Sequence, residues 1–185
     1  SLPYDVLPGQ TVTLAALLTA PREAGEFRLD WDMVREGYTW FEKEGNAPLR
    51  VGVSAIAPTL RLDRGGLYFL ADAAYVTGPQ VVRVENAGGG IVNWSASSDA
   101  DWCRVDAATS TGSSAWGAPS PMTVRVDRQS FQQRYGYDNP VTARVTVGAG
   151  SPDGAVASAP QVLPVTFVVS SKPLGRTYFP VIGKD

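Results

Sequence analysis

The chain has 185 residues, 44% of them hydrophobic, with a mean hydropathy of −0.08, which is typical of a folded globular protein of one large or two small domains. Sixteen basic and eighteen acidic residues leave a net charge of −2 with no basic run, so nucleic acid is not expected as a partner. The lack of histidine excludes Ser-His-Asp and Cys-His catalysis, and the single Cys103 excludes an intrachain disulfide.

Short runs that alternate β-branched with polar residues recur along the chain and predict half-buried strands. They lie at residues 11–14, 38–41, 81–84, 123–126, 143–147 and 165–169. Residues 14–24 have a helix-like composition but contain Pro21, so they are interpreted as a strand that runs into a turn. Glycine-rich turns and a Ser/Gly/Pro loop at 110–121 separate the runs and leave little room for helices.

The pattern predicts an all-β fold of two immunoglobulin-like sandwich units. The first, at residues 1–54, is expected to be incomplete at its N-terminus. Residues 55–66, with Pro58 and a glycine pair, are predicted to be a linker. The second unit is predicted at residues 67–171, and residues 172–185 form a C-terminal tail.

Three features of the first segment suggest a family. Pro8-Gly9-Gln10 marks a tight turn, a second turn lies between Pro21 and Gly25, and Phe27, Leu29 and Trp31 alternate onto one face. With the Trp40-Phe41 pair, this segment resembles the later half of the four-tryptophan immunoglobulin-like domain of autophagy cargo receptors. Modules of that kind begin with earlier strands and a further tryptophan that do not occur here.

A sandwich that lacks strands leaves open sheet edges and an uncovered core face, which are templates for pairing with another chain. Two explanations stay open. The chain is one fragment of a larger protein, or a neighbouring subunit supplies the missing strands.

The second segment carries a more specific pattern. A strand at 81–86 is followed by a glycine triplet, by Trp94 and Ala96, and by Trp102 with Cys103, and the strands at 123–126, 143–147 and 165–169 come later. This segment resembles the BACON family of bacterial immunoglobulin-like domains. The resemblance implies a non-catalytic module of secreted or surface proteins, for which carbohydrate binding has been proposed. Two departures are Cys103, where an apolar residue is usual, and an inserted stretch at 132–140. The tail residues 176–182 are similar to short terminal segments of surface proteins and are interpreted as an edge strand or a sorting signal.

The candidate ligand-binding residues are aromatic side chains in predicted loops, where exposed rings are unusual. They are Trp116, Phe131, Tyr135 and Tyr137. Trp94 and Trp102 are instead predicted to fill the space between two sheets. No catalytic residue, metal or cofactor is predicted. Asp30 and Asp32 are placed on a solvated face, and Asp99, Asp101 and Asp106 lack the spacing of a calcium loop.

The sequence thus predicts a non-catalytic, extracellular or cell-surface structural or adhesion protein without a membrane-spanning segment. Its predicted partner is a protein, or a second copy of the chain, bound at open sheet edges. The alternatives are a carbohydrate-binding module and an accessory C-terminal region of a larger secreted enzyme.

Overall fold

A computed structural model describes residues 4–21, 23–152, 154 and 156–174. Within them the strands are β1 (Gly25–Trp31), β2 (Val34–Arg35), β3 (Thr39–Trp40), β4 (Leu49–Ala55), β5 (Leu60–Leu62), β6 (Leu67–Ala71), β7 (Gln80–Asn86), β8 (Ile91–Ser98), β9 (Cys103–Val105), β10 (Thr111–Ala115), β11 (Ser120–Val126), β12 (Val141–Gly150) and β13 (Gln161–Val169). One α-helix, α1 (Arg128–Tyr135), and 3₁₀ turns at Phe41–Glu44 and Ala107–Thr109 complete the described structure. The predicted all-β fold is confirmed.

Two facing sheets form a sandwich. One has the strand order β10-β8-β12-β13-β6 and the other β5-β7-β11-β9. Alternate residues of each strand point inward, as the period of a pleated strand requires, so that Val82 and Val84 meet Val145, Val147 and their neighbours in one core.

The sandwich begins earlier than the sequence indicated. The predicted linker, residues 55–66, contains β5, which pairs with β7 in the register Leu60↔Asn86 and Leu62↔Val84. Leu60 is buried in the core. Three residues with a single buried leucine carry too little alternation to be recognised as a strand.

Two other local predictions were wrong. Residues 11–14 and the following stretch to Ala24 form no strand, since their described backbone has no sheet partner. The predicted loop at 110–121 contains β10 and the start of β11, whose serines and glycine pair against β8 and β7. Predicted tail residues 175–185 lie outside the described residues.

The inserted stretch predicted as a loop, 132–140, begins instead within α1. The Asp127 side chain accepts a hydrogen bond from the Ser130 N–H at 3.1 Å and caps the helix, and Phe131 anchors it in the core. Gly136, with φ 73°, ends the helix.

Candidate functional site

The N-terminal strands β1 and β4 form a two-stranded antiparallel sheet, called here the ribbon. Its register places Phe27 opposite Val53, Leu29 opposite Val51 and Trp31 opposite Leu49. Residues directly opposite each other in an antiparallel pair share a face, so these six apolar side chains line one side of the ribbon. The β4 half of this face was missed in the sequence, although 49–53 alternates in the same way as β1.

The other side of the ribbon is polar. The Ser54 hydroxyl donates to the Glu26 carboxylate at 2.6 Å. The Asp30 carboxylate forms ion pairs with the guanidinium groups of Arg28, at 2.8 Å, and Arg50, at 3.6 Å. The ribbon is therefore amphipathic, as is a strand pair that packs on one face only. Asp30 lies in an ion-pair network on this solvated side, as expected for a structural carboxylate.

The apolar face of the ribbon is incompletely covered. Residues 18–21 lie over its Phe27 and Val53 end and leave a cavity of about 390 Å³ beneath them. At the other end Leu49 is 64% exposed, and Val51 and Trp31 are exposed as well. None of the described residues between 4 and 57 is buried. An apolar face of this kind normally packs against a second layer.

The four aromatic candidates do not form one site. Trp116 is 73% exposed and Tyr137 is exposed, but Phe131 is fully buried against Trp102 and Phe167, and Tyr135 is half-buried beside it. Phe131 cannot contact a ligand at the surface, because α1 turns it into the core.

The two exposed rings also lie at opposite ends of the sandwich. Trp116 follows β10, whose last residue Ala115 pairs with Ile91 at the start of β8, beside the last residues of β12. Tyr137 precedes the first residue of β12. Ten residues of strand separate these ends by about 30 Å, so no ligand of ordinary size contacts both rings.

Trp116 lines a cleft of its own, about 520 Å³ in volume. The Arg61 guanidinium lies 3.8 Å from the carboxylate of Glu85, its partner on the neighbouring strand, and both side chains are partly exposed. Asn86 is also in the wall, but its side chain is occupied in donating to the carbonyls of Gly89 and Gly90. The cleft thus combines one exposed ring with one ion pair.

Trp94 and Trp102 lie in the core, as predicted. The Trp94 Nε1–H donates to the Ser120 hydroxyl at 2.7 Å. The Trp102 ring packs edge-on to Phe131 with centroids 5.1 Å apart. Cys103 is buried beside it, and this burial raises the pKa of the thiol. A raised pKa disfavours the reactive thiolate.

Carboxylates gather at the α1 end of the sandwich in hydrogen-bonded turns. Asp72 accepts from the backbone N–H groups of Leu174, Ala74 and Tyr75, each at 2.7 Å, and these bonds lower the pKa of Asp72. Asp138 accepts from the Ser171 hydroxyl and N–H, which lowers its pKa in the same way.

The three aspartates considered for calcium are separately engaged. Asp99 accepts from the Arg144 N–H at 2.7 Å, Asp106 pairs with Arg125, and Asp101 lies 3.9 Å from Arg134. In the part of the chain that the structure describes, no group of three or more His, Cys, Asp or Glu side chains is placed to hold a metal ion. The described helices include none that is long and apolar enough to cross a membrane.

Comparison with known proteins finds that the sandwich is similar to one family. The family model described as the viral BACON domain matches residues 72–152. The predicted resemblance of residues 67–171 to the BACON family, whose domains are non-catalytic modules, is therefore confirmed over that shorter stretch. The resemblance of residues 1–54 to the four-tryptophan domain stays a prediction. No curated protein matches the chain.

Three solved structures are distantly similar. The YadV chaperone shares 9% identity at a TM-score of 0.41, over 64% of this chain and 54% of its own, so this chain spans about half of its length. A Porphyromonas gingivalis W83 protein of unknown function shares 12% sequence identity at a TM-score of 0.46, and the match covers 84% of this chain and 70% of that protein. The Caenorhabditis elegans MSP family member WR4 shares 12% sequence identity at a TM-score of 0.39, and the match covers 60% of this chain and 98% of WR4. No function follows from likenesses this distant.

Proposed function

We propose that this chain, which carries a BACON-like domain, is a non-catalytic structural module of an extracellular or cell-surface protein that self-assembles through its ribbon. The observation that supports this most directly is the apolar face formed by β1 and β4, of which Trp31, Leu49 and Val51 are exposed. Burying such side chains contributes about 25 cal/mol per Å² of apolar surface. A partner that supplies a second layer buries these side chains, and the association is stabilised by that free energy.

The chain itself contains a suitable segment. Residues 10–20 carry no charge, and Leu14, Leu17 and Leu18 are exposed, Leu17 completely. The described residues of this segment pair with no strand. In a symmetric contact between two copies, the segment of each copy covers the ribbon of the other, and a neutral segment meets the apolar face without charge repulsion. The occupant of the ribbon is therefore a strand from a second copy.

The test compares two single substitutions on opposite faces of β4. Val51→Lys places a charge on the apolar face, whereas Ser54→Lys places the same charge on the polar face opposite Glu26. Sedimentation velocity over a range of protein concentrations is expected to show oligomers for the native chain and Ser54→Lys, and monomers for Val51→Lys. A native chain that is monomeric at every concentration contradicts self-assembly.

A second candidate function, carbohydrate binding, rests on the Trp116 cleft. An exposed indole ring offers a stacking face, and the Arg61 and Glu85 side chains offer hydrogen-bonding groups beside it. In a glycan-array screen, Trp116→Ala is expected to abolish binding while Tyr137→Ala, an exposed ring at the far end of the sandwich, leaves it unchanged. Equal loss in both variants, or no glycan bound by the native chain, removes this candidate.

A further inference from the structure

The chain enters and leaves the sandwich at opposite ends. It enters at Pro58 and Leu60, beside the end of β7, and it leaves after Val169, beside Asp72 and the end of β6. Tension applied to the two flanking segments therefore acts along the strands, over the full length of the sandwich.

The first long strand and the last strand are hydrogen-bonded neighbours and run parallel. β6 pairs with β13 over five positions, from Leu67↔Val165 to Ala71↔Val169. Tension pulls β6 from its N-terminal end and β13 from its C-terminal end, in opposite directions along one axis. The bonds between them are loaded together in shear, whereas an antiparallel hairpin pulled from its open end loses its bonds one at a time.

Further hydrogen bonds extend this strand pair beyond both of its ends. At the entry end, the Ala157 N–H donates to the Pro58 carbonyl and the Leu60 N–H donates to Ser158, each at 2.9 Å. At the exit end, the Ser170 N–H donates to the Ala71 carbonyl at 2.7 Å, and Leu174 is held by Asp72. These bonds and the β6–β13 pair together are called the terminal seam.

We propose that the sandwich is a load-bearing module, in which the terminal seam resists tension carried along the polypeptide. This function goes beyond self-assembly and does not depend on what covers the ribbon. Resistance to force is governed by the rate of unfolding, so a seam that has to break before β6 or β13 is released sets that rate.

The backbone of β13 offers a matched pair of substitutions. Alternate residues of a strand direct their N–H groups to the same neighbour. The Ser170 N–H points to β6, so the N–H of Val168, two residues earlier, points to β6 as well. Pro164 occupies another of these alternate positions but has no N–H to donate. Val168→Pro removes a seam bond. Val162→Pro changes a residue on the same side of β13, but Val162 lies before Val165, the first residue that pairs with β6. This substitution therefore leaves the seam intact.

The experiment stretches the full chain between two folded reference domains by single-molecule force spectroscopy. Unfolding of the sandwich is recognised by a contour-length gain of about 40 nm, at roughly 3.6 Å per residue. At a fixed force, Val168→Pro is expected to unfold at least about fivefold faster than the native chain, from the loss of one backbone hydrogen bond, and Val162→Pro at the native rate. Equal rates for the two proline variants overturn the proposal.

A second measurement needs no proline variant to fold. One handle is moved to Ala118→Cys, an exposed position at the entry end, so that tension between it and the N-terminus pulls across the strands. Cys103 is buried and does not compete for the label. The end-to-end geometry is expected to survive at least about tenfold longer at the same force. A lifetime equal to or shorter than that of the transverse geometry overturns the proposal.

Discussion

At the scale of single residues, a glycine decides how Trp94, the first of the two core tryptophans, packs. Gly112 in β10 lies directly over the Trp94 ring, and a Cβ there would meet the ring carbon Cζ2 at 2.6 Å. The same ring donates to Ser120, and the Ser114 hydroxyl contacts Ser120 at 2.8 Å and donates to the Val84 carbonyl at 2.7 Å. These bonds fasten β10 across the sandwich to β7 and β11.

Gly112→Ala is therefore expected to destabilise the sandwich by about 1–3 kcal/mol, because the buried indole has no room to move aside. The control is Gly148→Ala in β12, where an added Cβ meets nothing within 4 Å. That variant is expected to be neutral or slightly stabilising. Urea unfolding followed by tryptophan fluorescence measures both. An equal loss of stability in the two variants contradicts the steric account.

Burial of single residues was predictable only where the pattern was clear. Trp94 in β8 and Trp102 just before β9 flank a short polar stretch, and large rings in such positions fill the inter-sheet space. Phe131 has polar neighbours on both sides, so nothing in its surroundings indicated burial. Its position depends on α1, which brings one apolar side chain inward from an otherwise polar helix. The exposed Trp116 was recognisable because no apolar alternation surrounds it.

At the scale of elements, long alternating strands were predictable and short or polar ones were not. The runs at 81–84, 123–126, 143–147 and 165–169 lie in β7, β11, β12 and β13. β10 and β5 depend on tertiary partners for their conformation, and propensity alone does not reveal them. Residues 11–14 show the reverse case, because they have a strand pattern but no neighbouring strand with which to pair.

The contacts that join β6 to the exit segment predict a pH dependence. The folded-state pKa of Asp72 is lowered by the N–H groups of Leu174 and Ala74, so its contribution to stability is present above the ordinary value of 3.8 and is lost as the pH falls through the lower folded-state value. Asp72→Asn is expected to lower the melting temperature at pH 7, and to lower it by less at pH 2, because protonation of the native carboxylate removes its contribution to stability as the pH falls below 3.8.

The comparison variant for this prediction is Asp101→Asn. Its carboxylate is exposed and lies 3.9 Å from Arg134, an arrangement that contributes little to stability. Melting curves of the native chain and both variants at the two pH values separate the outcomes. A melting-temperature difference for Asp72→Asn that is the same at both pH values contradicts a role for its charge.

At the scale of the whole molecule, the chain is divided into an exposed N-terminal part and a buried C-terminal part. The described residues between 4 and 57 include none that is buried, whereas the sandwich holds a continuous core that extends from Leu60 to Val169. The sequence predicted an incomplete first unit from its motifs. It could not predict which face stays uncovered, because that depends on the pairing of β1 with β4.

This division predicts the order of proteolysis. Local opening costs little where few apolar contacts are buried and approaches the global free energy of unfolding in a core. Trypsin is therefore expected to cut first at Arg28, Arg35, Lys43 and Arg50 and to leave a fragment that starts at Val51, with cleavage at Arg104 or Arg125 at least about 100-fold slower. Mass spectrometry of a digestion time course identifies the products.

The same digest connects the ribbon to self-assembly. If a second copy covers the apolar face, cleavage at Arg28 and Arg50 slows as the protein concentration rises, because binding to the folded ribbon reduces its open population by mass action. Val51→Lys is expected to remove this concentration dependence, and Ser54→Lys to preserve it. Early cleavage within β11 or β12 contradicts the division, since those strands then open as readily as the ribbon does.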